Sequence, residues 1–131
     1  MIATSRSGGV LPYYDRLKGD NYSIYIETSL GTAVIQYSDP SSATHPSRVA
    51  LSEPEPLRKD LPDGLRPAYV LFACTLDRTG VLKDLRVLEP GVPESTSKIL
   101  AALSKWKFRP AFRGEEPVEV TAIIGFGIDT R

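Results

Sequence analysis

Few residues in this chain could do chemistry, and they do not converge. His45, the sole histidine, stands beside Pro46 in a proline-rich stretch. Metal sites and catalytic triads need partners that the sequence does not place near it, so it reads as a solvent-exposed loop residue. Cys74 is the one cysteine, which excludes an intramolecular disulfide and a cysteine-based zinc site. It falls within an apolar run, where cysteine behaves as a small hydrophobe. Asp77 and Asp84 flank a turn, and Glu115 and Glu116 sit in a polar loop, positions at which carboxylates serve turn geometry and solubility. Gly125-x-Gly127 lies inside an alternating strand pattern, whereas a phosphate-binding loop leads into a helix. Trp106 reads as a core anchor. With no nucleophile and base, carboxylate pair or metal constellation, the expectation is a domain that is not an enzyme and needs neither metal nor cofactor.

The elements around these residues must fit one modest core, since the chain has 131 residues and 41% hydrophobic content. Sixteen basic and sixteen acidic side chains cancel, leaving no net field to attract nucleic acid or an anionic membrane. The cluster Lys98, Lys105, Lys107, Arg109 and Arg113 reads as cations late in a helix that complement its dipole and keep that face solvated. The opening MIATSRSGGVLPYY lacks the apolar centre of a secretory signal, and no apolar run approaches bilayer length.

Residues 1–20 show little periodicity and read as a flexible leader. Residues 21–38 form a hairpin extension: Tyr22, Ile24 and Ile26 alternate with polar neighbours, a glycine-containing turn follows, and Ala33 to Tyr37 is a second apolar, β-branched run. Residues 39–67 carry Pro40, Pro46, Pro54, Pro56, Pro62 and Pro67, which favour an extended linker. Residues 68–131 hold the main domain. There Ala68 to Leu76 is apolar on both faces, as in a central strand, and Arg78-Thr79-Gly80 turns it into Val81 to Leu88. Pro93 opens a helix whose Ile99, Ala102, Leu103 and Trp106 make one apolar stripe, with Pro110 as its stop. The last strand alternates, Val118, Val120, Ala122, Ile124, Phe126 and Ile128 against Glu119, Thr121, Ile123, Gly125 and Gly127. The expected fold is α+β in two layers, an antiparallel sheet (strand, strand, helix, strand) with one helix packed on it and the β-hairpin added.

Ordered motifs in the C-terminal half carry a resemblance. Leu76, Asp77, Gly80, Val81, Lys83, Asp84, Leu85, Val87 and Leu88 are followed by Trp106, Lys107, Phe108, Pro110, Ala111, Gly114, Pro117, Val118 and Phe126. This set resembles the C-terminal domain of TonB-type energy transducers. The Tyr-Pro box that usually opens that domain is represented only by Leu61-Pro62. The resemblance implies a periplasmic domain, anchored to the inner membrane by a segment upstream. There it would meet the proton-channel complex, and its last strand would pair with a short segment, the TonB box, of an outer-membrane receptor.

The residues allow such pairing on their own terms. The outward row shrinks from Glu119 to Gly127 and beyond Glu119 has little of the charge, proline or bulging that guards natural edges. A strand of this kind can take up an extended peptide by β-augmentation. The candidate pairing residues are Val118, Glu119, Val120, Thr121, Ala122, Ile123, Ile124, Gly125 and Phe126, with Val120, Ala122, Ile124 and Phe126 turned to the core. The early hairpin either extends the sheet on its far side or covers this edge. A structural or sensory envelope module using the domain without transport is the alternative, and an exposed edge also permits a strand-paired homodimer.

Overall fold

The computed structural model describes residues 4–6, 17, 21–40, 50–66 and 69–127. Its centre is a six-stranded antiparallel sheet built from β1 (Thr4–Arg6), β2 (Asn21–Thr28), β3 (Gly31–Ser38), β5 (Val70–Leu76), β6 (Leu82–Glu89) and β10 (Val120–Phe126), in the order β1-β2-β3-β10-β5-β6. Helix α1 (Pro93–Leu103) lies on one face, giving the two-layer α+β arrangement and the early hairpin that the sequence pattern implies. The strand β1 has no counterpart in that pattern. Of the leader otherwise, only Leu17 is among the described residues, and it is buried.

Period-two alternation sets the sheet's faces. Ile24, Ile26, Ala33, Ile35, Tyr37, Phe72, Cys74, Ala122, Ile124 and Phe126 all join the helix-side core with Ile99 and Leu103. Leu71, Val34 and Ile123 form a second cluster on the opposite face together with Leu17. A sheet buried on both faces explains why β5 reads as a continuous apolar run rather than an alternating one.

The edge strand β6 is irregular. Its pairing with β5 slips between Ala73 and Thr75 and again between Leu71 and Phe72, and Asp84 takes a positive φ of 55° at the first irregularity. Bulges and the exposed Lys83, Asp84 and Arg86 guard this edge against further pairing.

The helix begins at Pro93, where a missing N–H costs nothing, and Thr96 stabilises the first turn by donating from Oγ1 to the Val92 carbonyl at 2.9 Å. It ends at Leu103, well before Pro110. The N–H groups of Lys105 and Trp106 bond the carbonyls of Ala102 and Leu103 in a tightened last turn, and β7 (Lys107–Arg109) starts at once. Trp106 therefore lies just beyond the helix, although it is 1% exposed. Its indole stands edge-on to Phe126 at 6.3 Å, and its Nε1 donates to the Asp60 carbonyl at 2.9 Å.

That last bond belongs to a strap. The proline-rich stretch includes β4 (Glu55–Arg58), which pairs with β7 through Glu55↔Arg109, Pro56↔Phe108 and Arg58↔Lys107. Proline is tolerated there because the pairing is a short two-stranded one with a register shift. Upstream, the Ser52 N–H bonds the Phe112 carbonyl at 2.7 Å, and Leu51 bridges Arg113 in β8 (Ala111–Arg113). Strand β8 turns through Gly114 and Glu115 into β9 (Glu116–Val118).

One backbone approach fixes the turn between β5 and β6. Asp77 Oδ1 accepts from the Thr79 N–H, the Thr79 hydroxyl and the Val81 N–H at 2.9, 2.6 and 3.0 Å. Slight desolvation works to raise the Asp77 pKa, but these bonds and nearby Lys83 outweigh it and hold the carboxyl below its ordinary value. Gly80 follows at φ +88°, and the Phe108 N–H donates to its carbonyl at 2.9 Å.

Candidate strand-binding site

The nine candidate pairing residues do not form one continuous strand. Val118 ends β9 opposite Ala111, and Glu119 is an exposed break whose Oε2 lies 3.3 Å from Lys83 Nζ. The remaining seven make up β10, with Val120, Ala122, Ile124 and Phe126 buried on the helix side.

The opposite row is not an outward one. Ile123 is 2% exposed and packs with Val34, Leu71 and Leu17, while Gly125 is buried and Thr121 half-buried. This row is packed rather than turned to solvent, which differs from the outward row that the alternation implied.

Nor is β10 an edge. On one side it pairs with β5 from Val120↔Leu76 to Phe126↔Val70. On the other it pairs with β3 through Thr121↔Ser38, Ala122↔Tyr37, Ile123↔Gln36, Ile124↔Ile35 and Gly125↔Val34. Of the two arrangements open to the early hairpin, the structure takes the covering one. The signal for this is in β3: Ala33, Val34 and Ile35 are consecutive apolar residues, a pattern that belongs to a strand buried on both faces.

The hairpin is fastened at both ends by side chains that sequence reasoning did not single out. Arg113 Nη2 lies 3.1 Å from Asp39 Oδ2, just past β3, and both side chains are largely removed from solvent. At the other end Lys59 Nζ donates to the Glu27 carbonyl at 2.6 Å, near the β2–β3 turn. Within the hairpin the rings of Tyr22 and Tyr37 stack at 5.5 Å.

The basic cluster disperses into local tasks. Lys98 pairs with Glu94 one turn earlier, Lys107 donates to the Thr79 carbonyl, Arg109 covers the Phe112 ring and Arg113 holds Asp39. A hollow of about 410 Å³ beside Trp106 is lined by Leu61, Pro62, Ala101, Ala102 and Lys105, and at its rim Arg58 pairs with Asp60 and Lys98 with Glu94. Cys74 is buried opposite Ala122, and burial pushes its thiol up to about 12. His45 lies outside the described residues.

This arrangement is similar to the C-terminal domain of Pseudomonas aeruginosa TonB. The solution structure of that domain matches at 28% identity over 61% of this chain and 91% of that one, with a TM-score of 0.45. No family model matches the chain, and no curated protein does. No helix among the described residues is long and apolar enough to cross a membrane.

Proposed function

We propose that this chain is the non-enzymatic, partner-binding domain of a TonB-like envelope protein. It works in the periplasm, held to the inner membrane and its proton-channel complex by a region upstream. Its last strand pairs with an extended segment of an outer-membrane receptor and so couples inner-membrane energy to transport. The pairing residues are those from Val118 to Phe126.

One observation carries this. The unit β5–β6–α1–β10 leaves one side of β10 to be filled from elsewhere, and the strand that fills it, β3, comes from an N-terminal hairpin joined through the proline-rich stretch. The unit is thus a strand acceptor, and backbone ladder bonds make few demands on the partner's sequence. A partner reaches β10 by replacing β3. The same exchange between two copies would yield a strand-paired homodimer.

The test is amide NMR on the whole chain during titration with peptides from receptor N-terminal segments of the same genome. Shifts that centre on β10 and β3 support the receptor role. A second reading is favoured by the closure of β10 on both sides: a structural or sensory envelope module without transport. No shift at millimolar peptide, with β10 and β3 fully protected from hydrogen exchange, selects it.

A further inference from the structure

The hairpin that closes β10 is an imperfect fit. Ser23 Oγ, Tyr37 OH and Ser38 Oγ are buried with no hydrogen-bond partner among the described residues, and all three belong to β2 or β3. Burial pushes the Tyr37 phenol pKa well above its usual value, so the group stays neutral and simply unsolvated. A buried hydroxyl that makes no bond loses its hydration without return, and native structures keep few of them. Here they gather on the segment that would have to leave for a partner to enter.

The register also states what fits. Tyr37 stands across from Ala122, a large side chain over a small one, and Ile35 faces Ile124 on the helix side. On the other face Val34 lies against Gly125 and Gln36 against Ile123.

We propose that the β2–β3 hairpin is a built-in competitor for the partner strand, and that β3 is the template for that partner. The occupant is an extended peptide antiparallel to β10, with a small residue, a branched aliphatic and an aromatic at the positions of Ala33, Ile35 and Tyr37. Its side chains at the positions of Tyr37 and Ser38 lack the hydroxyls that β3 leaves unbonded. This rests on β10 being the strand-accepting site named above. It adds that access is set by a contest in which the internal strand is handicapped.

The test uses the whole chain and a labelled synthetic peptide with the sequence of residues 31–38, followed by fluorescence anisotropy. The peptide should bind, and its form carrying Tyr37→Phe with Ser38→Ala should bind roughly tenfold tighter or more. The double variant Gln36→Cys with Ile123→Cys, whose positions are directly opposite, can be oxidised to tie β3 to β10. Oxidation should abolish binding and reduction should restore it. Cys74, buried with its thiol pushed up to about 12, stays out of the exchange. If the tie does not form, Asp39→Asn, which loosens the hairpin's fastening to Arg113, should strengthen binding several-fold.

Equal binding to the oxidised and reduced forms would overturn the proposal, as would no binding to either the reduced protein or the Asp39→Asn variant. A receptor segment that binds the oxidised form would overturn it too, while leaving a receptor-binding domain in place. Exchange of the residue 31–38 peptide without binding of any receptor segment would uphold the competitor and remove the receptor.

Discussion

Replacing Gly80 by alanine tests the close approach of the β5–β6 turn to the backbone of β7. Two effects combine there. The residue holds φ +88°, which costs an L-residue about 1–2 kcal/mol. A Cβ at this position would also run into the Phe108 carbonyl oxygen and lie 2.9 Å from its carbonyl carbon, both of them backbone. Relief requires β7 to shift, which gives up the Phe108 N–H bond to Gly80, worth about 1 kcal/mol, and loosens Phe108 in the core. The expected loss is about 3–5 kcal/mol, or roughly 10–20 °C in Tm for a domain of this size. Gly31→Ala supplies the control, because Gly31 holds φ +94° with nothing within 4 Å of its Cβ position. It should lose only about 1–2 kcal/mol. Urea melts can be followed by the fluorescence of Trp106, the single tryptophan, which is fully buried and reports the whole core. Equal losses in the two variants, to within about 0.5 kcal/mol, would refute the steric part and leave only the dihedral.

Trp106→Phe removes the indole bond to the Asp60 carbonyl and part of the ring volume, and should cost about 2–4 kcal/mol by denaturant melts read in circular dichroism. Asp77→Ala should destabilise at neutral pH. Because the folded-state pKa is depressed, the carboxylate's contribution is present above the unfolded value of 3.8 and disappears as pH falls through the lower folded value. The difference in Tm between wild type and variant should therefore shrink on acidification below that range, and a gap independent of pH would contradict the hydrogen-bonded carboxylate. Cys74, 2% exposed and with its thiol pushed up to about 12, should resist thiol reagents at pH 8 in the native state, and its labelling rate with increasing urea should follow global unfolding.

Local pattern made several elements legible. The run from Val70 to Leu76 is apolar on both faces and became a central strand, Pro93 opened the helix, and the alternation of Tyr22, Ile24 and Ile26 became β2. Other features depend on what lies across the fold. Period-two alternation tells which face Ile123 or Gly125 shares but not whether that face meets water, and here Leu17 packs with it. Likewise, nothing within residues 118–126 distinguishes an edge from a centre; the missing neighbour was encoded about eighty residues earlier, in the unbroken apolar run of β3. The strand β4 was hidden by its proline, which is tolerated because the pairing is short and a one-residue bulge at Leu57 follows it. Trp106 continued the helical spacing, yet the chain had already left the helix, because the turn at Ser104 and Lys105 lets the ring swing under the strap to Asp60.

The direction in which the sheet's strands run also decides how it would carry mechanical load. Asn21, where β2 begins, lies at the same end of the sheet as Ser38 and Thr121, whereas Phe126, where β10 finishes, lies at the other end. Tension between the two sides of the chain, once the short β1 has parted, therefore pulls β2 and β10 lengthwise past one another through β3. In that shearing geometry the ladder bonds are stressed together rather than opened one after another. The hairpin that covers β10 is thus also the stretch of sheet through which a pull from the N-terminal side is transmitted to β10.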